Sequence, residues 1–142
     1  MAKFERFEDI EAWQRARRLV SALHPIVTST AFARYFALRD QLLRASVSIM
    51  ANIAEGFGRG GDKEFHNFLS LAKASASEVQ SHLYVAKDLK LIDADQFQTL
   101  YTDTDAIGNL IGGLMRYLRE SDLKGSKFAQ SSVQRNRRDY TT

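Results

Sequence analysis

Apolar residues recur every three or four positions through four long blocks of this chain, and that period directs the backbone toward the α-helix. Strands have almost no support: period-two runs of β-branched residues are absent, and proline occurs once, at Pro25. The first block begins near Asp9 and sets Trp13, Ala16, Val20, Leu23 and Val27 on one side. Glu8 or Asp9 favours its start through the free N–H groups, and Pro25 kinks or ends it because proline lacks a donor and clashes one turn back. The second block starts between Thr30 and Arg34 and runs to about Glu55, with Leu38, Leu42, Ala45, Ile49 and Ile53 as its inward ridge. Ser46, Ser48, Ala51 and Ala54 add a low-bulk surface beside that ridge.

The third helix extends from about Asp62, a suitable N-cap, to Leu89 through Phe65, Phe68, Leu69, Ala72, Ala76, Val79, Leu83 and Ala86. The fourth begins at Asp93, which has capping-box spacing to Gln96, and carries the ridge Phe97, Leu100, Thr104, Ile107, Ile111, Leu114 and Leu118. Short links make consecutive helices antiparallel neighbours, so the fold class is all-α: an antiparallel up-down-up-down four-helix bundle over residues 1–120. A chain of 142 residues buries about two thirds of its extended surface and holds such a core unaided. Gly108, Gly112 and Gly113 interrupt the fourth ridge, each at a cost of about 0.5–1 kcal/mol against alanine. Close approach of a neighbouring helix explains them best; a local break is the alternative.

The formal charge is +3, and its excess lies in a basic tail, residues 121–142, where Lys124, Lys127, Arg135, Arg137 and Arg138 face only Asp122 and Asp139. Such a tail contacts nucleic acid or an acidic protein, or merely solubilises the terminus. Arg15 and Arg18 share a face of the first helix while Arg17 points away or toward its edge; with Arg39 and Arg44 they form basic stripes once the bundle assembles. A charged bundle exterior is the plainer account. Phe32, Tyr35, Phe36 and Phe57, with Tyr84, Tyr101, Met115 and Tyr117, exceed what single ridges need and point to self-association or to a wide internal apolar face.

Chemical signatures are weak. Cysteine is absent, which removes disulfides and thiolate sites. Gly56, Gly58 and Gly61 copy the glycine spacing of a dinucleotide loop, but a helix precedes them where that motif needs a strand. A phosphate nest beside Arg59 is the residual functional reading of that turn. His66 and His82 lie too far apart on one helix to share an ion, and Glu78 with His82 lacks the inward carboxylates of a di-iron bundle. Serines 46, 48, 70, 75, 77 and 81 have no nucleophile-elbow context. The carboxylates at 93 and 95 suit a helix start, and those at 103 and 105 face solvent. Asn52 and Glu55 occupy neighbouring parts of one face and are expected in a structural polar network, with direct ligand contact as the alternative and Arg59 able to fold back toward Glu55. No catalytic residue, metal ligand or cofactor site is assigned.

Phe7-Glu8-Asp9-Ile10 with Trp13-Gln14 and Ala16, then Gln41-Leu42-Leu43-Arg44-Ala45, Ser48-Ile49 and Asn52-Ile53-Ala54-Glu55-Gly56-Phe57-Gly58-Arg59, resemble the four-helix-bundle family named for intervening sequences in bacterial 23S ribosomal RNA. Phe65-x-x-Phe68-Leu69-x-x-Ala72, Glu78 and Leu83-x-x-Ala86 extend the resemblance, which spans roughly residues 4–120. Ala74-Ser75-Ala76-Ser77 departs from the glycine-serine pair frequent in the family. The resemblance implies a compact bundle assembled as a ring-like pentamer without catalytic chemistry. The chain is also similar to accessory proteins of diversity-generating retroelements, which implies nucleic-acid binding and a reverse transcriptase partner. It directs attention to Arg44, Asn52, Glu55 and Arg59.

The combined expectation is a nonenzymatic, cytoplasmic, homo-oligomeric scaffold that binds RNA or DNA electrostatically through Arg15, Arg18, Arg39, Arg44, Arg59 and the tail, with no membrane association. A protein-interaction adaptor without nucleic-acid binding is the second reading, and a metal-dependent helical enzyme the third.

Overall fold

A computed structural model describes the backbone of residues 4–138 and the side chains of residues 4–121. A 3₁₀ turn at Phe7–Asp9 precedes α1 (Glu11–Val27), a second at Thr30–Phe32 precedes α2 (Phe36–Gly58), and α3 (Asp62–Asp88) and α4 (Ala94–Arg138) complete a four-helix bundle. The helix of α4 therefore runs on through most of the segment set apart in the sequence as a tail.

Cross-helix contacts establish the topology. Ser48 of α2 meets Ser75 of α3 while Gly56 meets Phe68, so position falls on α3 as it rises on α2. Tyr84 stacks with Phe97 and Gln80 reaches Asp105, which makes α3 and α4 antiparallel in the same way. Helix α1 closes the bundle against α2 and α4. The centre is built from Leu42, Ile49 and Ile53 of α2, Leu69, Val79 and Leu83 of α3, and Ile107 and Ile111 of α4, each 1 % exposed or less. Burying each such side chain contributes about 1.5–3 kcal/mol.

The α4 ridge is buried at every expected position, including Thr104, whose hydroxyl donates to the Leu100 carbonyl at 2.7 Å. The capping box also forms: Gln96 N–H donates to Asp93 Oδ1 at 2.7 Å, and Asp93 N–H to Gln96 Oε1 at 2.9 Å. The α1 ridge differs from expectation. Ala12 and Leu19 are buried with Ala16, Leu23 and Val27, whereas Trp13 and Val20 are only half-buried because the core stripe lies one residue around the helix. Ile10 occupies the N-cap, and Asp9 instead accepts the Arg6 N–H inside the preceding 3₁₀ turn. Pro25 sits in the last turn, where Thr28 closes the helix by donating both its N–H and its hydroxyl to the His24 carbonyl.

Two boundaries move. Burial of Phe32 holds Thr30–Phe32 as a separate turn, so α2 begins only at Phe36. At its other end α2 continues through Gly56 to Gly58, past the expected stop at Glu55. A Cβ on Gly56 would lie 2.5 Å from Phe68 Cβ, which makes Gly56 a point of close α2–α3 approach. Gly60, with φ +82°, reverses the chain, and Gly61 rather than Asp62 is the N-cap of α3. Asp62 and Glu64 lie in the first turn, where carboxylates favour the positive end of the helix dipole.

The three α4 glycines do not mark a close helix approach, nor does the helix break there. A Cβ on Gly108 meets nothing within 4 Å, and one on Gly112 meets only the tip of Lys73 at 3.3 Å.

Candidate nucleic-acid interface

Helix α1 turns its apolar stripe inward, and the remaining arc carries three arginines within four residues. Arg15, Arg17 and Arg18 are all exposed, because the buried positions Ala12, Ala16 and Leu19 fall between them on the helical wheel. Arg15 pairs with Glu11 at 3.0 Å one turn back. Arg17 lies over the indole of Trp13, with its guanidinium carbon 5.8 Å from the ring centroid. Among the described residues, neither Arg17 nor Arg18 pairs with a carboxylate.

Two clefts flank this arc and share Arg18. One, of about 340 Å³, is lined by Trp13, Gln14, Arg17, Arg18 and Ser21. The other, of about 220 Å³, lies against α4, where Arg15, Arg18 and Leu19 face Asp103 and Ile107. The indole is fixed from below: the Phe7 ring meets it edge-on at 5.1 Å between centroids. Gln14 is fixed too, because its amide donates to the Glu8 carbonyl at 2.8 Å. The 3₁₀ turn before α1 thus props the Trp13 side of the face.

The arginines of α2 are held differently. Arg39 pairs with its neighbour Asp40 at 3.1 Å and lies over the Phe36 ring. Arg44 donates to Gln41. Arg59 pairs with Glu55 at 3.2 Å and lies over Phe68 at 5.4 Å. This pair is an i,i+4 contact at the end of a continuing helix, so no folding back across a glycine turn is needed. None of the three lines the α1 clefts. The side chains of Lys124, Lys127, Arg135, Arg137 and Arg138 lie outside the described residues.

Asn52 and Glu55 belong to separate arrangements. The Asn52 amide donates to the Ser48 carbonyl at 2.8 Å and to the Ser48 hydroxyl at 3.0 Å, and that hydroxyl lies 3.0 Å from Ser75 on α3. Glu55 takes no part in this link and is exposed. The expected single network therefore divides into a polar clasp between α2 and α3 and a surface ion pair.

Gly60 and Gly61 line an apolar cavity of about 420 Å³ with Phe57, Phe65 and Leu114, and Asp62 is the charged residue on its wall. Arg59, the expected phosphate partner at this turn, does not line the cavity and pairs instead with Glu55. His82 bonds to Glu78 at 3.3 Å, while His66 packs near α4 with a buried Nε2 that has no partner among the described residues. No group of three His, Cys, Asp or Glu side chains is disposed to hold a metal among the described residues. No described helix is long and apolar enough to cross a membrane.

The sequence reading of Arg15 and Arg18 on one face agrees with their place on a common cleft. Arg17, expected to point away or toward the edge of that face, lines the Trp13 cleft and not the Arg15 cleft, and Trp13, expected on the core side, is half-buried; the contact between the two is the feature that core periodicity leaves out. The i,i+4 spacing from Trp13 to Arg17 was the available signal.

Residues 8–113 match the 23S rRNA-intervening sequence protein family. Among solved structures, the chain is similar to the crystal structure of a protein of unknown function from the S23 ribosomal protein family of Bacteroides thetaiotaomicron VPI-5482. The two are 25% identical with a TM-score of 0.63, over 73% of this chain and 94% of that one. No curated protein matches.

Proposed function

The chain belongs to the 23S rRNA-intervening sequence protein family, and from that premise we propose that it is a nonenzymatic helical scaffold that self-associates in the cytoplasm and holds nucleic acid by its phosphates. The observation that carries this reading is the α1 face, where Arg17 and Arg18 lack carboxylate partners among the described residues and Arg15 stands beside them. Arginines so placed displace counterions from a phosphate backbone, giving affinity without base selection and a steep loss of binding as salt rises. Repetition of the face around an oligomer, for which the earlier resemblance suggests a pentamer, multiplies the contacts. Native mass determination combined with a salt series on single-stranded RNA, duplex RNA and DNA tests the reading. A defined oligomer whose affinity falls with salt supports it; no binding at low salt refutes it.

A protein-interaction adaptor is the second reading, favoured by exposed Leu71, Val85 and Leu89 on the outer face of α3. Helical spacing brings the three to a common side, which suits a second copy or a different protein. Partnership with a reverse transcriptase, as the retroelement resemblance suggests, is the specific form of this reading. Recovery of a stoichiometric complex that forms equally well after nuclease treatment would favour the adaptor over the nucleic-acid scaffold.

A further inference from the structure

We propose that the Trp13–Arg17 pair and the two clefts meeting at Arg18 form a binding site for single-stranded nucleic acid, in which one unstacked base packs on the indole–guanidinium shelf and the adjoining phosphate falls to Arg18 and Arg15. The proposal rests on the nucleic-acid reading above and adds to it a location, a strand preference and a mode of contact.

Three features of the face support it. First, the shelf is prearranged: Phe7 fixes the indole from one side at 5.1 Å, and Arg17 lies over it at 5.8 Å with no carboxylate among the described residues to draw it away. Arginine planes and aromatic rings both stack on bases, and every base offers a π-face. Second, shelf and phosphate site are contiguous, since Arg18 lines both the 340 Å³ cleft with Trp13 and the 220 Å³ cleft with Arg15. Third, the Gln14 amide beside the shelf is held in place by one N–H donated to the Glu8 carbonyl at 2.8 Å, so the stacking surface rather than a mobile polar side chain dominates the contact. The site accordingly prefers an unpaired base over a paired one and discriminates little among sequences. Asp103 on the α4 side sets one limit of the phosphate path by repulsion. Arg39, Arg44 and Arg59 do not offer the same combination, because none of them lines either cleft.

Trp13 is the sole tryptophan of the chain, so emission excited selectively at the indole, beyond tyrosine absorption, reports on this site alone. Titration of the full chain with single-stranded oligoadenylate and with a duplex RNA of equal length is expected to quench Trp13 emission with the single strand and to leave it nearly unchanged with the duplex. Arg17→Lys keeps the charge and removes the plane. Loss of one stacked base corresponds to roughly a 5- to 150-fold drop in affinity, so this variant should lose at least 5-fold for the single strand and much less for the duplex, with an unchanged circular dichroism spectrum. Saturable RNA binding without a change in Trp13 emission would overturn this site while leaving the phosphate-binding scaffold standing. Equal quenching by both RNAs would overturn the strand preference, and absence of binding to either at low salt would overturn both readings together.

Discussion

Replacing Gly56 and Gly108 by alanine should shift stability in opposite directions, although both glycines lie inside helices. Alanine relieves the conformational entropy of a helical glycine by about 1 kcal/mol wherever its methyl group has room. At Gly108 the new Cβ meets nothing within 4 Å, so the gain is retained. At Gly56 the new Cβ would stand 2.5 Å from Phe68 Cβ and 3.2 Å from Phe65 Cδ1. The nearer atom is fixed to the α3 backbone and no rotamer change can withdraw it, so the two helices must separate. Overpacking of this kind costs about 1–3 kcal/mol, and the rigid contact places Gly56→Ala at the upper end. After the helical gain, the net loss is about 2 kcal/mol. With a urea dependence of about 2 kcal/mol per molar, that moves the unfolding midpoint down by about 1 M, whereas Gly108→Ala moves it up by about 0.3–0.5 M. Urea unfolding followed by circular dichroism at one fixed protein concentration provides the test. A Gly56→Ala protein as stable as the parent would refute the argument that this glycine is required by close α2–α3 packing. A destabilised Gly108→Ala protein would refute the inference that the space beside that residue is free.

Gly60→Ala places a side chain at φ +82° and should cost about 1–2 kcal/mol, read as a lower urea midpoint. Lys90 occupies the left-handed position after α3 at φ 62°, where Leu91 N–H reaches Ala86 O and Lys90 N–H reaches Lys87 O, both at 2.9 Å; Lys90→Gly should therefore stabilise by about 0.5–1 kcal/mol in the same assay. Asp93→Ala removes one arm of the α4 capping box and should cost about 1 kcal/mol, with earlier amide exchange in the first turn of α4 as a second readout. A double-mutant cycle of Ser48→Ala and Ser75→Ala should return a coupling of about 0.5–1.5 kcal/mol, and zero coupling would show that the hydroxyl pair does not stabilise the α2–α3 seam.

Legibility in the sequence varied with how sharply each helix was patterned. The α4 ridge was readable throughout because its seven inward positions follow a single stripe, with Tyr101, Leu110 and Met115 only partly buried beside it. In α1 two stripes compete, since Trp13 and Val20 neighbour Ala12 and Leu19 on the wheel. Hydrophobicity favours the former pair, yet the space between α2 and α4 admits the latter and leaves the indole at the edge. The basic face was legible as charge, but its free and engaged arginines were not separable. That distinction depends on which carboxylate or amide a guanidinium reaches: Glu55 for Arg59 and Gln41 for Arg44, none for Arg17 and Arg18 among the described residues.

The sequence alone determined the helices, their number and their antiparallel order, because a period of three to four, short links and capping residues are local properties of the chain. Only the tertiary structure decided which glycine marks a close approach, moving that role from Gly108, Gly112 and Gly113 to Gly56, and that Trp13 stays half-buried at the edge of the core. Both depend on the distance between elements remote in sequence, a quantity that emerges when the four stripes pack together.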